Sequence, residues 1–380
     1  MKKYINWIAW IILGIAYCYG IIFTDHSHEL EHLKILQTED LQLKEAKEGV
    51  YPLYKNEKLY GYLSTGSSQG YGGPLQVAVV SDTSGLIIGT ELIKNFETPS
   101  FVAKLSNKKY YQQYEEKSLN DGFQLKKDVE AVSGATVSSL AIANASRDAS
   151  YQIAHKVFQL ETPRIEKSWR LTPKEGIVAL IIIIAFLAIY FKSKKLIYFN
   201  LFLGLVFIGF LFNASLSLTH FGRILLGYFP DIHTHLSWWL LVAATLSLII
   251  IWGKNVYCTA ICPFRASQML LHQISGINIK MDQSLGKALA FTPKFLIWLS
   301  LILIFISQNP SLSSYEPFAM LFSLKGEGIQ WYILPTALIG ALFFSNFFCR
   351  FFCPVGGILN WVIARRNQVK QLIQKHKQDA

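Results

Sequence analysis

The chain has 380 residues, of which 52% are hydrophobic and only 16% are charged. Soluble domains usually carry about a quarter charged residues, so this composition argues against a wholly soluble protein and predicts membrane segments. The formal net charge is +11, but the basic residues flank apolar runs, where such residues set membrane topology. No nucleic-acid-binding motif accompanies them, so we expect membrane lipid and no nucleic acid as a partner.

The first apolar run covers residues 5–23 and follows Lys2 and Lys3. It is long enough to cross a hydrocarbon core about 30 Å thick. A cleaved signal peptide is the alternative, but the run has no clear small-x-small cleavage site. We therefore predict a retained N-terminal transmembrane anchor over residues 1–24.

Residues 25–171 are polar and mixed in composition, and their number fits one small α+β domain. The opening part, residues 25–48, is charged and predicts a helix. Strand-like runs at residues 75–80 and 85–93 are broken by Gly and Asp, as turns require. Residues 137–158 have the apolar spacing of a helix.

Apolar runs dominate the rest of the chain and predict a membrane domain of five helices over residues 172–364. Together with the anchor they give an all-α membrane bundle of about six transmembrane helices, to which the α+β domain is attached. Residues 365–380 form a basic tail. The five runs lie at about residues 177–191, 196–218, 236–252, 295–307 and 331–348.

Basic residues alternate between the connections of these predicted spans. One set of connections is rich in Lys and Arg, whereas the two alternate short loops carry only Arg223 and Lys325. The positive-inside rule places the rich set in the cytoplasm. We therefore expect a multi-pass protein of the bacterial inner membrane, with the α+β domain outside the cytoplasm and both termini inside.

A small-residue turn precedes the predicted helix of the α+β domain. Ser133, Gly134 and Ala135 leave the backbone open to close approach, and Thr136 places a hydroxyl at the helix start. The amide groups and dipole of a helix N-terminus form a ready phosphate site. An ordinary helix start, capped by Ser133 or Thr136, is the alternative.

This turn resembles the flavinylation motif of the FMN-binding domain family, which includes flavin subunits of sodium-pumping NADH:quinone reductase and of the Rnf complex. The resemblance implies that Thr136 carries FMN through a phosphoester bond made by an extracytoplasmic flavin transferase. Two further segments resemble that family, and they implicate more residues in flavin binding, with ordinary turns as the alternative. Ser138 completes the threonine motif, Gly72 and Gly73 lie in a glycine-rich segment, and Glu97 and Thr98 begin a Glu-Thr-Pro segment.

Four of the five cysteines form two matched pairs, Cys258 with Cys262 and Cys349 with Cys353, each followed by proline. A spacing of four places both thiols of a pair on one helical face, and the proline interrupts the helix. Four sulfur ligands suit an iron–sulfur cluster, and a four-cysteine zinc site is the alternative. The spacing does not decide the cluster type, and we favour [4Fe–4S].

Such pairs after membrane spans resemble the polyferredoxin-type membrane domain of the NosR/NirI family, whose members join it to an exported FMN domain. Longer members end in a ferredoxin domain with further cysteines, but this chain has none after Cys353. It is more similar to the short six-span form found with reductive dehalogenase systems.

These features predict a redox-active carrier or oxidoreductase subunit with no catalytic residue of its own. It would relay electrons between the membrane quinone pool or a cytoplasmic donor and an extracytoplasmic redox partner, through covalent FMN and the cluster. The alternative is a membrane redox sensor or a maturation factor for an extracytoplasmic reductase. In the predicted topology, a hydrocarbon core of about 30 Å separates the two cofactors. A quinone, a further cofactor or a flavin domain resting against the membrane must therefore bridge them.

Overall fold

A computed structural model shows a β-sheet domain followed by a helical region, after an N-terminal helix. It describes residues 2–23, 41–44, 48–97, 99–133, 135–164, 169, 171–279, 284, 286, 289, 291–312, 315–324 and 328–378. Helix α1 covers Lys2–Phe23 and packs against the helix Thr292–Ser307 of the helical region.

The sheet domain contains five antiparallel strands in sequential order, each paired with the next along the chain. The predicted strands at residues 75–80 and 85–93 are confirmed as β4 and β5. Most of the predicted helix over residues 25–48 falls outside the described residues. The helix prediction is wrong at Leu41–Leu43, because these residues form a strand that pairs with the next strand, Val50–Lys55. The strands are β1 (Leu41–Leu43), β2 (Val50–Lys55), β3 (Lys58–Gln69), β4 (Pro74–Asp82) and β5 (Ile87–Asn95).

Helix α3, Thr136–Lys156, lies across β3 and β4 and confirms the helix predicted at residues 137–158. Its buried face is rich in alanine and serine, which lets the helix approach the sheet closely. A Cβ added at Gly66 of β3 would lie 2.0 Å from the carbonyl oxygen of Ala145. Helix α2, Pro99–Asn107, and a short 3₁₀-helix, Tyr110–Tyr114, precede α3.

The 3₁₀-helix anchors the beginning of α3. Tyr110 and Tyr114 are fully buried. The Tyr110 hydroxyl donates to the carbonyl of Ser139 at 2.7 Å, and the Tyr114 hydroxyl donates to the Tyr110 hydroxyl at 3.0 Å. The first turn of α3, which carries Thr136, is thus held by the core of the domain.

The helical region contains twelve named elements in the described part of the chain. The predicted apolar runs at 177–191, 236–252 and 295–307 each form one helix, whereas the run at 196–218 ends in non-helical residues 213–217 and the run at 331–348 is broken after Phe343. The twelve elements are α4 (Pro173–Tyr190), α5 (Lys194–Leu203, continued as a π-helix over Gly204–Leu211), α6 (Leu218–Leu226), α7 (Leu236–Trp252), α8 (Val256–Ala260), α9 (Pro263–Ser275), α10 (Thr292–Ser307), α11 (Phe318–Ser323), α12 (Gln330–Phe343), α13 (Phe347–Phe351) and α14 (Pro354–Gln378).

Two helices of the described chain, Pro173–Tyr190 and Lys194–Leu211, are long and apolar enough to cross a membrane. A third crossing results if Leu236–Trp252 and Val256–Ser275, which meet at a bend of 109°, are one broken span. Trp7–Phe23, Thr292–Ser307 and Gln330–Phe343 are apolar but shorter. The chain is thus a membrane protein, and the count of six spans stays a prediction.

Two non-helical loops interrupt the helical region. Residues 213–217 separate the π-helix from α6, and residues 308–317, described except for 313 and 314, separate α10 from α11. We call them the 213–217 loop and the 308–317 loop. Both loops contact helices that lead to the cysteine motifs.

Substitution Gly66→Ala tests the close packing of α3 on the sheet. We expect it to destabilise the sheet domain by about 1–3 kcal/mol, because the added methyl group meets backbone atoms that cannot move aside. Thermal unfolding of the full chain in detergent measures the effect. Gly89→Ala in β5 is the matched control, since nothing lies within 4 Å of the added Cβ, and equal melting temperatures for the two variants would contradict the prediction.

Candidate functional site

The predicted flavin-attachment threonine stands at the first residue of α3. Thr136 and Ser133 are exposed, whereas Ala135 and Ser138 are buried. Ala135 is the N-cap, and no side chain caps the helix. Neither Ser133 nor Thr136 therefore has the capping role that the alternative assigned to it, and Gly134 lies outside the described residues.

Glu97 links the three segments that resemble the FMN-binding domain family: the glycine-rich segment, its own Glu-Thr-Pro segment and the threonine motif. Its carboxylate is 4% exposed, accepts the N–H of Gly72 at 3.0 Å and accepts the hydroxyl of Ser138. Burial raises the pKa of Glu97, although these two hydrogen bonds and the nearby Arg223 charge act in the opposite direction. Glu97 thus holds the glycine-rich segment against the start of α3, and Thr98 lies outside the described residues.

The glycine-rich segment leaves no room for side chains at three positions. A Cβ at Gly70 would lie 2.0 Å from the Glu97 carboxylate, and one at Gly72 would lie 1.8 Å from the carbonyl oxygen of Phe96. A Cβ at Gly73 would lie 3.0 Å from the Phe96 ring. The glycines therefore permit close approach of protein to protein here, in addition to any role toward a flavin.

Arg223 of α6 connects the helical region to this segment, although the sequence alone presents it only as a loop charge. The side chain is 1% exposed. It donates to the carbonyls of Gly70 at 3.0 Å and Tyr71, to Gln69 Oε1 at 3.4 Å, and to the carbonyl of Tyr228 at 3.2 Å. A single arginine in an otherwise uncharged, apolar segment is the sequence signal that could have identified Arg223 as a functional residue.

Aromatic rings surround this contact. The Tyr71 ring lies edge-on to His220 at 6.1 Å, and the His220 ring stacks on Trp238 at 6.0 Å. Burial, with a contribution from the Arg223 charge, lowers the pKa of His220 to about 3, so this imidazole is neutral. His233 pairs with Asp231 at 2.9 Å, and His235 is the N-cap of α7.

The two cysteine motifs have the same backbone geometry. In each motif the first cysteine lies in a short helix and the second follows the break before proline. The amide of Cys262 donates to the carbonyl of Tyr257 and that of Cys353 donates to Phe348, both at 2.9 Å. The expectation that each pair shares one regular helical face is wrong, because the helix breaks before the second cysteine rather than after it.

All four cysteines line one cavity of about 220 Å³ in the helical region. Among the described residues, no group of three or more His, Cys, Asp or Glu side chains closes on a point that could hold a single metal ion. A zinc ion would need its sulfur ligands about 2.3 Å from one point. Four thiols around one cavity fit an iron–sulfur cluster, and the four-cysteine zinc site stays the alternative.

Polar groups from neighbouring segments support the cysteines. The side-chain Nε2 of Gln268, in α9, donates to Cys349 Sγ at 3.0 Å, and its side-chain Oε1 accepts the N–H of Phe348 at 2.8 Å. The amide of Gly356 donates to Cys353 Sγ at 3.4 Å, and Arg265 donates to the carbonyl of Cys258 at 2.9 Å. Donors to cysteine sulfur tune the potential of a cluster, and Gln268 carries no motif from which sequence could have found it.

Two family descriptions match the chain in these same regions. Residues 70–150 match an FMN-binding domain. Residues 234–281 and 332–371 match a 4Fe-4S binding domain. The two domain matches thus cover the glycine-rich segment with α3, and both cysteine motifs.

Known proteins are similar to parts of the chain. Protein NirI of Paracoccus denitrificans is 31% identical over 117 residues, which are 28% of this chain and 17% of NirI. The regulatory protein NosR of Pseudomonas aeruginosa is 29% identical over 134 residues, 32% of this chain and 18% of NosR. One component of the proton-translocating ferredoxin:NAD(+) oxidoreductase complex of Clostridium ljungdahlii is 27% identical over 112 residues, 28% of this chain and 60% of that component.

The matched segments span less than two thirds of each of these relatives. Flavin and iron–sulfur domains in one membrane protein give it an electron-transfer role, because these cofactors carry redox chemistry. The FMN-binding domain, the 4Fe-4S binding domain and the similarity to NirI and NosR together support a NosR/NirI-like family for this chain.

Proposed function

We propose that this protein relays electrons through FMN bound covalently to Thr136 and a [4Fe–4S] cluster bound by Cys258, Cys262, Cys349 and Cys353. The observation that carries the proposal is the convergence of two sets of motifs, each at one place. Glu97 joins the three flavin-like segments, and the four cysteines share one cavity. The relay would connect the quinone pool or a cytoplasmic donor at one end with an extracytoplasmic redox partner at the other.

The start of α3 would hold the FMN phosphate. The exposed hydroxyl of Thr136 is available to a flavin transferase, and the helix amides that no side chain caps favour a phosphate beside it. Ser133, Gly134 and Ala135 are small residues that would keep large side chains away from the phosphate, and Ser138 is held by Glu97. Bound FMN supplies one- or two-electron transfer.

The cysteine cavity would hold the cluster, which supplies one-electron transfer. The four thiolates are its ligands, and the positive charge of Arg265 beside Cys258 offsets part of their negative charge. Gln268 orients Cys349 and the backbone before it. Cys262 and Cys353 are buried and Cys258 and Cys349 are half-buried, so water has more access to the first cysteine of each motif than to the second.

The proposed topology has six spans, the sheet domain outside the cytoplasm and both termini inside. The distribution of basic residues supports it. The three shorter apolar helices of the structure would then cross the bilayer only if flanking residues extend them or if the bilayer thins around them.

A quinone or quinol is the proposed partner inside the membrane, and an apolar groove of about 580 Å³ supports it. The groove lies between α10, α12 and α13. Phe348 and Phe352 line it, whereas the next residues, Cys349 and Cys353, line the cysteine cavity. The Tyr315 hydroxyl, at the groove, donates to the carbonyl of Phe352 at 2.7 Å. A quinone here would be separated from the cluster by one short helix.

The second candidate function is a membrane redox sensor or maturation factor for an extracytoplasmic reductase. One relative, NosR, carries the description of a regulatory protein. Steady-state reduction of the flavin by quinol or by a cytoplasmic donor separates the two candidates. A flavin that stays oxidised with every donor, while a partner enzyme fails to mature, would support the second.

Substitution Thr136→Ala is expected to abolish covalent flavin, because the phosphoester has no other hydroxyl at that position. The measurement is flavin fluorescence of the denatured protein band on a gel. Thr162→Ala, at a half-buried threonine beyond α3, should retain full fluorescence. Fluorescence that survives in Thr136→Ala would end the attachment proposal.

Substitution Cys258→Ala is expected to remove most iron and labile sulfide, because the remaining three ligands cannot satisfy a four-cysteine cluster. Chemical assay of iron and sulfide, with zinc measured in parallel, reads out the loss. Cys18→Ala is the matched control, since Cys18 is exposed on α1 away from the other cysteines. Stoichiometric zinc without iron in the wild-type protein would refute the cluster.

Substitution Thr336→Trp is expected to fill the groove and slow quinol-driven flavin reduction about tenfold or more, which is at least about 1.4 kcal/mol. Flavin and iron content should not change. Ile339→Trp, on the exposed face of the same helix and outside the groove, should leave the rate unchanged. Equal quinol-dependent rates in the two variants would exclude the groove as the quinone site.

A further inference from the structure

Arg223 is a buried cation whose hydrogen-bond acceptors come from both parts of the molecule. Three acceptors belong to residues 69–71 of the sheet domain, and one, the Tyr228 carbonyl, belongs to the helical region. Its guanidinium also lies over the Trp238 ring, 5.8 Å from the centroid. A buried charge that loses its partners is strongly destabilising. Separation of the sheet domain would remove three of the four acceptors.

The segment that Arg223 holds is also held from its other side. Glu97 accepts the N–H of Gly72, so the backbone of residues 70–72 is hydrogen-bonded to both a buried cation and a buried carboxylate. The attraction between the two charges is felt across the segment. This arrangement fixes the segment relative to α6 and α3 at once.

Further contacts extend the same interface. The Phe96 ring stacks on Tyr228 of the helical region, with 6.0 Å between centroids. A Cβ at Gly72 would lie 2.6 Å from the hydroxyl of Ser311, in the 308–317 loop. The glycine at position 72 therefore lets the flavin-binding segment rest directly on this loop.

The 308–317 loop, which meets the sheet domain, and the 213–217 loop, which precedes α6, also reach the cysteine motifs. Leu216, of the 213–217 loop, lines the cavity, and its N–H donates to the Tyr257 hydroxyl at 2.8 Å. The hydroxyl of Tyr315, in the 308–317 loop, donates a hydrogen bond to the carbonyl of Phe352, the residue before Cys353. The next residue, Glu316, accepts the N–H of Leu218 at 2.6 Å and ties the two loops together near α6. Hydrogen-bonded protein thus runs without interruption from Arg223 to the cysteines.

We propose that Arg223 is a docking residue that fixes the flavin domain on the helical region, so that the two cofactor sites form one rigid electron-transfer unit. This inference rests on the proposed function. Electrons pass between FMN and the cluster through the 213–217 and 308–317 loops, with no quinone between them. Each step moves one electron from the reduced to the oxidised centre. Protons that accompany a change in flavin charge exchange with water on the exposed side of Thr136.

Hydrogen exchange of the full chain in detergent, with both cofactors bound, tests docking directly. We expect Arg223→Gln to speed exchange about tenfold or more in peptides covering residues 69–74 and 218–231, because docking no longer protects them. Peptides of β4 should keep their wild-type exchange, which shows that the domain itself stays folded. Arg366→Gln is the matched control, since Arg366 also donates to two backbone carbonyls, Ile250 and Ile251, but both within the helical region.

Wild-type exchange in both interface peptides of Arg223→Gln would overturn the docking role. If that variant does not accumulate, Arg223→Lys replaces it. A lysine keeps the charge but cannot reach acceptors in both parts at once, so intermediate exchange is expected, and wild-type exchange would again refute docking.

Electron exchange between the two centres is the second readout. After rapid reduction of one centre, we expect equilibration to slow about tenfold or more in Arg223→Gln, at unchanged flavin and iron content. Equal equilibration rates in variant and wild type would overturn the route through the loops. Should the wild-type centres never exchange electrons while the hydrogen-exchange result stands, the proposed relay fails and the docking role of Arg223 survives.

Discussion

Burial of two opposite charges around one glycine-rich segment is the constraint on which the arrangement of this protein depends. Glu97 and Arg223 approach that segment from different parts of the chain, and each is nearly inaccessible to solvent. Neither charge is tolerable alone, because desolvation outweighs any gain without hydrogen-bond partners. The backbone groups of residues 70–72 supply those partners. The first turn of α3, which carries Thr136, and the helical region are therefore positioned by the same few atoms.

Interrupted helices provide the second structural element. A regular span would leave its backbone groups bonded within the helix, with none to offer to a cofactor site. Here the breaks before Pro263 and Pro354 turn the second cysteine of each motif toward a shared cavity, and Gln268 joins the two motifs. Breaks at the 213–217 and 308–317 loops bring other backbone close to that cavity. Irregular backbone at this depth is tolerated because it is buried in protein.

Together these elements bear on how electrons could pass between the two cofactor sites, which the predicted topology separates by a bilayer. Cofactors on opposite faces of a bilayer would need a carrier between them. The structure instead places the glycine-rich segment on the 308–317 loop, whose Tyr315 donates to the carbonyl of the residue before Cys353. The apolar groove beside α13 would offer a quinone a separate place, next to the proposed cluster rather than between the cofactors. The same geometry serves a relay and a sensor, since both require the two centres to exchange electrons.

Sequence by itself determined the chemistry and its linear order: the threonine turn, the paired cysteines before proline, the apolar runs and the strands β4 and β5. These are local patterns of residue type and spacing, and they survive any change of tertiary context. Only the tertiary structure decided the roles of Arg223, Glu97 and Gln268, because each acts on residues far away in the chain. The short strand Leu41–Leu43 was misjudged for the same reason, since its pairing with β2 outweighs its helical propensity. Long-range contacts carry no periodic signal, so a buried polar side chain that bridges two segments is visible only when both are folded.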